Sequence, residues 1–280
     1  MSLSLAEIHP HAFVTGASAG LGRAFTTMLL SEGVRVWGTA RDGGRLANLA
    51  TTHPAHFTPV ILDLDDPVAA EAAFNRAANS AGGNFELVIN NAGYGVFGFF
   101  HEIDVAMWER QLSAMLNCTL RLTHLALRRM RERDRGCIVN VSSLAVEFPL
   151  PFMSGYNVAK AGLSALSESL IVETQGTPIN VIDFRPGDFR TDFNQAMLTS
   201  SAANSALSGR AARAWQALEA HREASPPALN AAADLRKALL RGRSGTVRSG
   251  SLFQARMASA FAPLLPASLR RSIAARYFGL

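Results

Sequence analysis

The chain alternates between short apolar runs and longer segments in which apolar residues recur every three or four positions. The short runs are rich in Val and Ile, which is typical of strands buried on both faces of a sheet. The longer segments have the period of amphipathic helices. Strands that alternate with helices in this way predict an α/β fold with a parallel sheet covered on both faces.

The pattern also places the individual elements along the chain. We predict strands over residues 13–15, 34–39, 60–63, 87–90, 138–142 and 179–184. Helices are predicted up to residue 31 and over residues 45–50, 68–78, 105–133 and 156–174. The joining segments are mostly short and nothing repeats, so the pattern predicts one domain over residues 1–280.

The pattern changes after Thr191. Residues 192–225 are rich in Ala, Ser and Asn, and we predict that they cover the carboxyl ends of the strands as a substrate lid. Helical spacing returns over residues 211–220 and 228–240, and residues 245–248 predict a short last strand.

Composition limits the classes of protein that fit. Hydrophobic residues make up 48% of the chain, which is enough to build a core. No apolar run is long enough to span a bilayer and residues 1–10 lack a signal-peptide pattern, so we expect a cytoplasmic location. Cys118 and Cys137 lack metal or redox spacing and are predicted to be core thiols. The histidines also lack ligand spacing, so no metal site is predicted.

Positive charge is concentrated near the C-terminus. The net charge of the chain is +5, but residues 201–280 contain twelve Arg or Lys and three acidic residues, which gives +9 there and −4 before. A solvated basic surface explains this most simply. Attraction to anionic lipid or an acidic substrate are alternatives, and nucleic acid ranks last because no recognition motif is present.

The basic segment over residues 252–280 also carries apolar residues at near-helical spacing. They are Phe253, Met257, Phe261, Leu264 and Leu265, followed after Pro266 by Leu269, Ile273 and Tyr277. We expect a helix that packs on its own domain or on a second subunit. A lid or a contact with a membrane surface is the alternative.

A glycine-rich turn follows the first predicted strand, and a helical pattern follows the turn. The spacing is Gly16-x-x-x-Gly20-x-Gly22. Glycine allows a close backbone approach to a ligand, and a helix N-terminus attracts phosphate. The context therefore favours a nucleotide site, although a purely backbone role for the glycines remains open.

The second predicted strand ends in Ala40 and Arg41 instead of a carboxylate. In dinucleotide sites an acidic residue at this place binds the 2′-hydroxyl of NAD, whereas an arginine accommodates the 2′-phosphate of NADP. Arg41 therefore favours NADP(H). Asp42 follows it directly and weakens the argument.

Tyr156 and Lys160 lie four residues apart in a predicted helix and so share one face. A free tyrosine has a pKa of about 10, and a cation held nearby lowers it toward the working range. Tyr156 is therefore a candidate general acid or base. Ser142 and Ser143 come at the end of the strand before it, and either hydroxyl is placed to bond a substrate oxygen.

These motifs, in this order and spacing, resemble those of the short-chain dehydrogenase/reductase family. The resemblance rests on Thr15-Gly16-x-x-x-Gly20-x-Gly22, Asn90-Asn91-Ala92-Gly93, Ser143, Tyr156-x-x-x-Lys160 and Arg185-Pro186-Gly187-Asp188-Phe189-Arg190-Thr191. It covers about residues 8–192, and the length fits the compact branch of the family. It implies a single doubly wound Rossmann-type sheet and a homodimer or homotetramer.

The resemblance also implies roles for individual residues. The catalytic set it implies is Asn117, Ser143, Tyr156 and Lys160. Tyr156 would be the general acid/base, Lys160 would lower its pKa, Ser143 would orient the substrate oxygen, and Asn117 would hold a relay water. The cofactor set is Gly16, Ser18, Gly20, Leu21, Gly22, Arg41, Asp63, Leu64, Asn91, Ala92, Gly93, Tyr156, Lys160, Pro186, Gly187, Phe189 and Thr191.

The leading functional hypothesis is an NADP(H)-dependent oxidoreductase that interconverts a ketone and a secondary alcohol. Apolar residues near the predicted site indicate an apolar substrate. They are Tyr94, Val96, Phe97, Phe99, Phe100, Phe148, Leu150, Phe152, Met153 and Phe193. The alternatives are a catalytically idle NADP(H)-binding sensor or scaffold and a membrane-surface protein that acts through its basic C-terminal region.

Overall fold

The computed structural model describes residues 4–193, 197–199, 207, 209–251 and 265–280. The described residues form nine strands: β1 His11–Val14, β2 Arg35–Ala40, β3 Phe57–Ile61, β4 Leu87–Asn90, β5 Val96–Phe97, β6 Gly136–Val141, β7 Ile179–Pro186, β8 Leu198–Thr199 and β9 Gly245–Ser249. Seven of them make one sheet in the order β3-β2-β1-β4-β6-β7-β9, and every pair is parallel. This confirms the doubly wound Rossmann-type sheet.

The helices join the strands and cover the sheet. They are α1 Leu5–Ile8, α2 Gly20–Ser31, α3 Ala47–Thr52, α4 Pro67–Ser80, α5 Val105–Leu112, α6 Thr119–Arg133, α7 Ser154–Glu173, α8 Gly209–Ala224, α9 Ala228–Arg241 and α10 Ala267–Tyr277. Each predicted strand and helix is present, with ends shifted by a few residues. The short strand predicted over residues 245–248 is β9, which pairs with β7.

The two faces of the sheet are covered by separate apolar cores because successive side chains of a strand point to opposite faces. In β1, Ala12 and Val14 join a core with Phe25 of α2 and Leu235 of α9. Phe13, between them, joins a second core with side chains of α4 and α6. Both cysteines are buried, one in each core, as predicted.

One helix departs from its predicted form. The helix predicted over residues 105–133 is divided by a π-helical segment, Ser113–Cys118, between α5 and α6. The periodicity did not reveal this segment, because it changes the hydrogen-bond spacing without interrupting the helical pattern. Three smaller elements were also not predicted, namely α1 and the two short strands β5 and β8, which pair with each other.

Several predictions concern residues that the structure does not describe. Residues 194–196, 200–206 and 208 of the predicted lid fall in this group. So do Phe253, Met257, Phe261 and Leu264 of the apolar series, which lie within residues 252–264.

Candidate active site

A cavity of about 810 Å³ lies at the carboxyl ends of the strands. Its lining starts at the ends of β2 and β3, with Arg41 and Asp63, and continues to Ser143 after β6 and Pro186 of β7. Since β2 and β3 are at one side of the sheet and β6 and β7 toward the other, the cavity crosses the point where the strand order reverses. Ligands of open α/β sheets bind at this kind of place.

The glycine-rich turn forms the floor of the cavity. Gly16 and Gly20 have φ values of +71° and +53°, which glycine adopts without strain. At Gly22 a Cβ atom would stand 2.1 Å from the carbonyl oxygen of Gly16, so that position has no room for a side chain. Gly16, Ser18, Gly20 and Leu21 line the cavity. Helix α2 begins at Gly20, so its free N–H groups and positive dipole face the cavity.

Hydrogen bonds join the turn to the segment after β4. The Thr15 hydroxyl accepts from the backbone N–H groups of Asn91 (2.9 Å) and Ala92 (3.0 Å). The Asn91 amide donates to the Thr15 carbonyl at 2.9 Å. Asn91, Ala92 and Gly93 all line the cavity, and the three hydrogen bonds join this segment to the turn.

Positive charge marks the β2 end of the cavity. Arg41 and Arg45 both line it, and neither forms an ion pair within the described part of the chain. The Asp42 carboxylate instead accepts from the backbone N–H of Gly44 at 2.9 Å and so caps its own turn. Arg45 was not predicted as a site residue. Only the 3₁₀ turn Gly43–Leu46 brings this residue to the cavity.

Asp63 and Leu64 also line this end, after β3. Asp65 comes next along the chain and binds Arg110 of α5, whose Nε donates to its carboxylate at 2.7 Å. Arg110 was missed by the sequence reasoning, since nothing in the spacing relates α5 to β3.

Ser143, Tyr156 and Lys160 meet on the wall formed by β6 and α7. All three are buried, and all line the cavity. The Lys160 ammonium is 5.7 Å from the centre of the Tyr156 ring and donates to the Val141 carbonyl at 2.6 Å. Burial lowers the pKa of Lys160 to about 8, and the carboxylate of Asp183 opposes that fall.

The pKa of Tyr156 differs from the prediction. Burial raises it to about 12, the hydrogen bond with Ser143 opposes the rise, and the carboxylate of Asp188 adds to it. The net shift is upward because the loss of hydration outweighs the hydrogen bond with Ser143, and the lowering by Lys160 stays a prediction. Tyr156 is therefore held as the neutral phenol, which is the form that can give a proton.

The two serines have different partners. The Ser142 hydroxyl donates to Asp183, a fully buried carboxylate, whereas the Ser143 hydroxyl bonds with Tyr156 and accepts from the Ala145 N–H at 3.0 Å. The geometry therefore favours Ser143 over Ser142 as the partner of the phenol.

Asn117 does not join this group. It lies in the π-helical segment, is exposed, and is not among the residues that line the cavity. Ala114 and Met115 face the cavity from that segment. The structure therefore does not bring Asn117 together with Ser143, Tyr156 and Lys160, and its role as the holder of a relay water stays a prediction.

The segment after β7 closes the middle of the cavity. Pro186, Gly187, Phe189 and Thr191 line it, and the Gly187 N–H donates to Ser249 of β9 at 2.7 Å. Thr191 approaches the glycine-rich turn, since its Cβ is 3.6 Å from the position that a Cβ on Gly20 would take.

The remaining wall is apolar and comes from distant parts of the chain. Of the apolar residues predicted there, Tyr94, Phe148, Leu150, Met153 and Phe193 line the cavity. Val96 and Phe97 are core residues, Phe100 is exposed against Trp108, and Phe99 and Phe152 pack behind the wall. Met197 and Leu218 of the predicted lid and Ile273 of the C-terminal apolar series also line it, as do Met115 and Phe278, which sequence reasoning missed.

Helix α10 attaches to its own chain at this wall. Phe278 is 2% exposed and packs in the cluster that contains Tyr156. The Tyr277 hydroxyl donates to Asp188, and its ring stacks on His221 of α8 at 3.8 Å. This agrees with the expected packing of the C-terminal helix on its own domain, while Leu269 on the same helix is 46% exposed.

Two features are absent from the residues that the structure describes. No helix there is long and apolar enough to cross a bilayer. No group of three or more His, Cys, Asp or Glu side chains there is arranged to hold a metal ion.

Comparison with known proteins gives one consistent result. The family profile described as short chain dehydrogenase matches residues 10–202. A Haemophilus influenzae protein named "Probable NADP-dependent dehydrogenase" is 32% identical over 63% of this chain and 70% of its own length. A 3-oxoacyl-acyl-carrier-protein reductase of Salmonella typhimurium is 29% identical over 66% of this chain and 76% of its own. A short-chain dehydrogenase structure from Streptomyces avermitilis covers 96% of both chains, with 27% identity and a TM-score of 0.80.

Proposed function

Because this chain belongs to the short-chain dehydrogenase/reductase family of oxidoreductases, we propose that it interconverts a ketone and a secondary alcohol on an apolar substrate with NADP(H). The observation that carries the proposal is the meeting of Ser143, Tyr156 and Lys160 in a cavity that continues to the glycine-rich turn. Proton-transfer groups and a phosphate-binding turn therefore share one space.

The residues at the β2 end fit a dinucleotide. The turn Gly16–Gly22 and the N-terminus of α2 would hold its pyrophosphate through backbone N–H groups. Asp63 and Leu64 would lie along the adenine, and the segment from Pro186 to Thr191 along the nicotinamide. When bound, the nicotinamide supplies or accepts the hydride.

Two arginines support NADP(H) over NAD(H). Arg41 and Arg45 line the end of the cavity beyond β2, where the ribose of a dinucleotide in this fold lies. A guanidinium binds phosphate through charge-assisted and bidentate hydrogen bonds. Asp42 carries the carboxylate that could instead bind the 2′-hydroxyl of NAD. This carboxylate accepts a hydrogen bond from the backbone N–H of Gly44.

In reduction, Tyr156 gives its phenolic proton to the substrate oxygen while Ser143 donates a hydrogen bond to the same oxygen. The neutral phenol suits this step, and the Lys160 cation stabilises the phenolate as it forms. In oxidation the same groups act in reverse. The apolar wall holds the rest of the substrate and excludes water, which strengthens these polar interactions.

The experiment compares the purified wild type with Tyr156→Phe, using NADPH and a panel of apolar ketones. We expect the variant to bind NADPH like the wild type and to unfold at the same temperature, because only one hydroxyl is lost. Its kcat should fall by about 10²- to 10⁴-fold, the usual contribution of general acid catalysis. Turnover near the wild-type rate would contradict the proposed role of Tyr156.

A further inference from the structure

An ionic cluster lies directly behind the proposed proton-transfer residues, and three of its members, Glu147, Asp183 and Arg185, are buried. We call it the Arg185 cluster and define it as Glu147, Glu168, Asp183, Arg185 and Arg248. Charges are rarely buried unless they are paired and hydrogen-bonded, because removing them from water is costly. Their placement under a candidate active site therefore calls for an explanation beyond stability.

Asp183 is the deepest member, with no solvent exposure. Its carboxylate accepts from the hydroxyls of Ser142 and Ser164, the latter at 2.7 Å, and from Arg185 Nε at 2.7 Å. The carboxylate thus fixes Ser142, the residue before Ser143, at the end of β6. It also reaches α7, the helix that carries Tyr156 and Lys160.

Arg185 forms further hydrogen bonds to α7 and to the loop between β6 and α7. Its Nη1 donates to Glu147 Oε1 at 3.0 Å, and its Nη2 donates to Ser164 at 2.8 Å and to Glu168 at 3.1 Å. Glu147 directly precedes Phe148, which lines the cavity. Arg248 of β9 donates to the same oxygen of Glu147 at 2.7 Å.

These bonds connect the elements that carry the proposed chemistry. The end of β6, the loop after it and helix α7 are all bound to Asp183 and Arg185, which point to the same face of β7. The Lys160 ammonium interacts with the carboxylate of Asp183, and it bonds to the carbonyl of Val141, one residue before Ser142. The cluster can therefore fix the position of Ser143 relative to that of Lys160.

We propose that Asp183 and Arg185 are positioning residues for the reaction. In this role they hold Ser143 and the loop between β6 and α7 against α7, and the carboxylate of Asp183 favours the charged form of Lys160. This inference rests on the proposed function. Replacing a buried ion pair with apolar residues is often neutral or stabilising, so stability alone does not account for the cluster.

The pH dependence follows from the charges around Lys160. Among the described residues, the charge of Asp183 acts on Lys160 and that of Asp188 acts on Tyr156, while Arg185 pairs with both Asp183 and Glu147. With its pKa at about 8, Lys160 loses its charge as the pH rises through that value, and kcat for reduction should fall there. Because Asp183 opposes the lowering of this pKa, removing the carboxylate should move the fall to lower pH.

The test is Asp183→Asn, which keeps the shape of the side chain and removes its charge. We expect kcat to fall about tenfold or more, the alkaline fall of kcat to begin at lower pH, and NADPH affinity to stay within about twofold of wild type. The matched control is Asp234→Asn, which removes a carboxylate bonded to Ser249 outside the cavity. It should leave kcat and its pH profile unchanged.

A second variant covers the case in which Asp183→Asn does not fold. Ser142→Ala removes one hydrogen bond to Asp183 and leaves every charge in place. It should lower kcat several-fold without moving the pH profile. Wild-type kcat and pH profile in Asp183→Asn, or wild-type kcat in Ser142→Ala, would overturn the inference.

Failure of the proposed function would look different. In that case the wild type would not oxidise NADPH with any ketone, or Tyr156→Phe would turn over like the wild type. The inference about Asp183 and Arg185 fails alone only when the wild type and Tyr156→Phe behave as proposed.

Discussion

The two ends of the cavity are built in different ways. The end beside β2 is formed mainly by backbone: the turn with Gly16 and Gly20 at positive φ, the segment Asn91–Gly93, and the N-terminus of α2. The other end is formed by side chains from the loop after β6, α8 and α10. Backbone groups can hold a ligand part that is always the same, whereas side chains can change with the substrate.

This difference suggests how the two ends respond to mutation. A mutation at the β2 end should change the affinity for one cofactor and leave the preference among ketones unchanged. A mutation at the other end should change the preference among ketones and leave cofactor affinity unchanged. Mutations at each end test whether cofactor affinity and ketone preference change independently.

The larger effect is expected at the β2 end. We predict that Arg41→Ala combined with Arg45→Ala weakens NADPH binding by about 10- to 100-fold, as expected for lost hydrogen bonds to a charged group. NADH binding should change by less than about threefold. Arg35→Ala is the matched control, because Arg35 is exposed at the opposite end of the same strand.

Titration of each variant with both cofactors measures this directly. Equal losses for NADPH and NADH would mean that these arginines do not meet the 2′-phosphate. A changed order of preference among ketones would break the separation between the two ends.

A smaller effect is expected at the apolar end. Phe278→Ala removes a buried ring from the wall shared with Tyr156. We predict that kcat/KM shifts toward longer or bulkier ketones by about tenfold relative to short ones, the usual size of pocket discrimination. NADPH affinity should not change. Leu269→Ala, at an exposed position of α10, should leave the preference unaltered.

The same contrast explains what could be predicted from the sequence. Gly16, Gly20, Asn91 and Tyr156 were predicted as site residues because a glycine turn, a strand end and a four-residue helical spacing are local features, and all four line the cavity. Fixed strand order then brings them together. The alternating pattern predicted the parallel sheet, and the resemblance to the family implied its doubly wound form.

Residues of the apolar end could not be predicted in this way. Phe278 faces the cavity only because the end of α10 packs against this wall, and no local pattern records that contact. Asn117 shows a second limit, since the pattern predicted a regular helix there and the structure has a π-helical segment, with Asn117 outside the cavity lining. The pKa of Tyr156 shows a third, because burial is a tertiary property.

The most direct test of the central claim uses the wild-type protein with both cofactors. NADPH and NADH are first titrated to saturation, and oxidation of the bound cofactor is then followed across the panel of apolar ketones. The account predicts tighter binding of NADPH and oxidation that depends on the presence of a ketone. Tight binding without oxidation by any ketone would contradict the proposed enzyme and favour a cofactor-binding sensor, and tighter binding of NADH would contradict the role of Arg41 and Arg45.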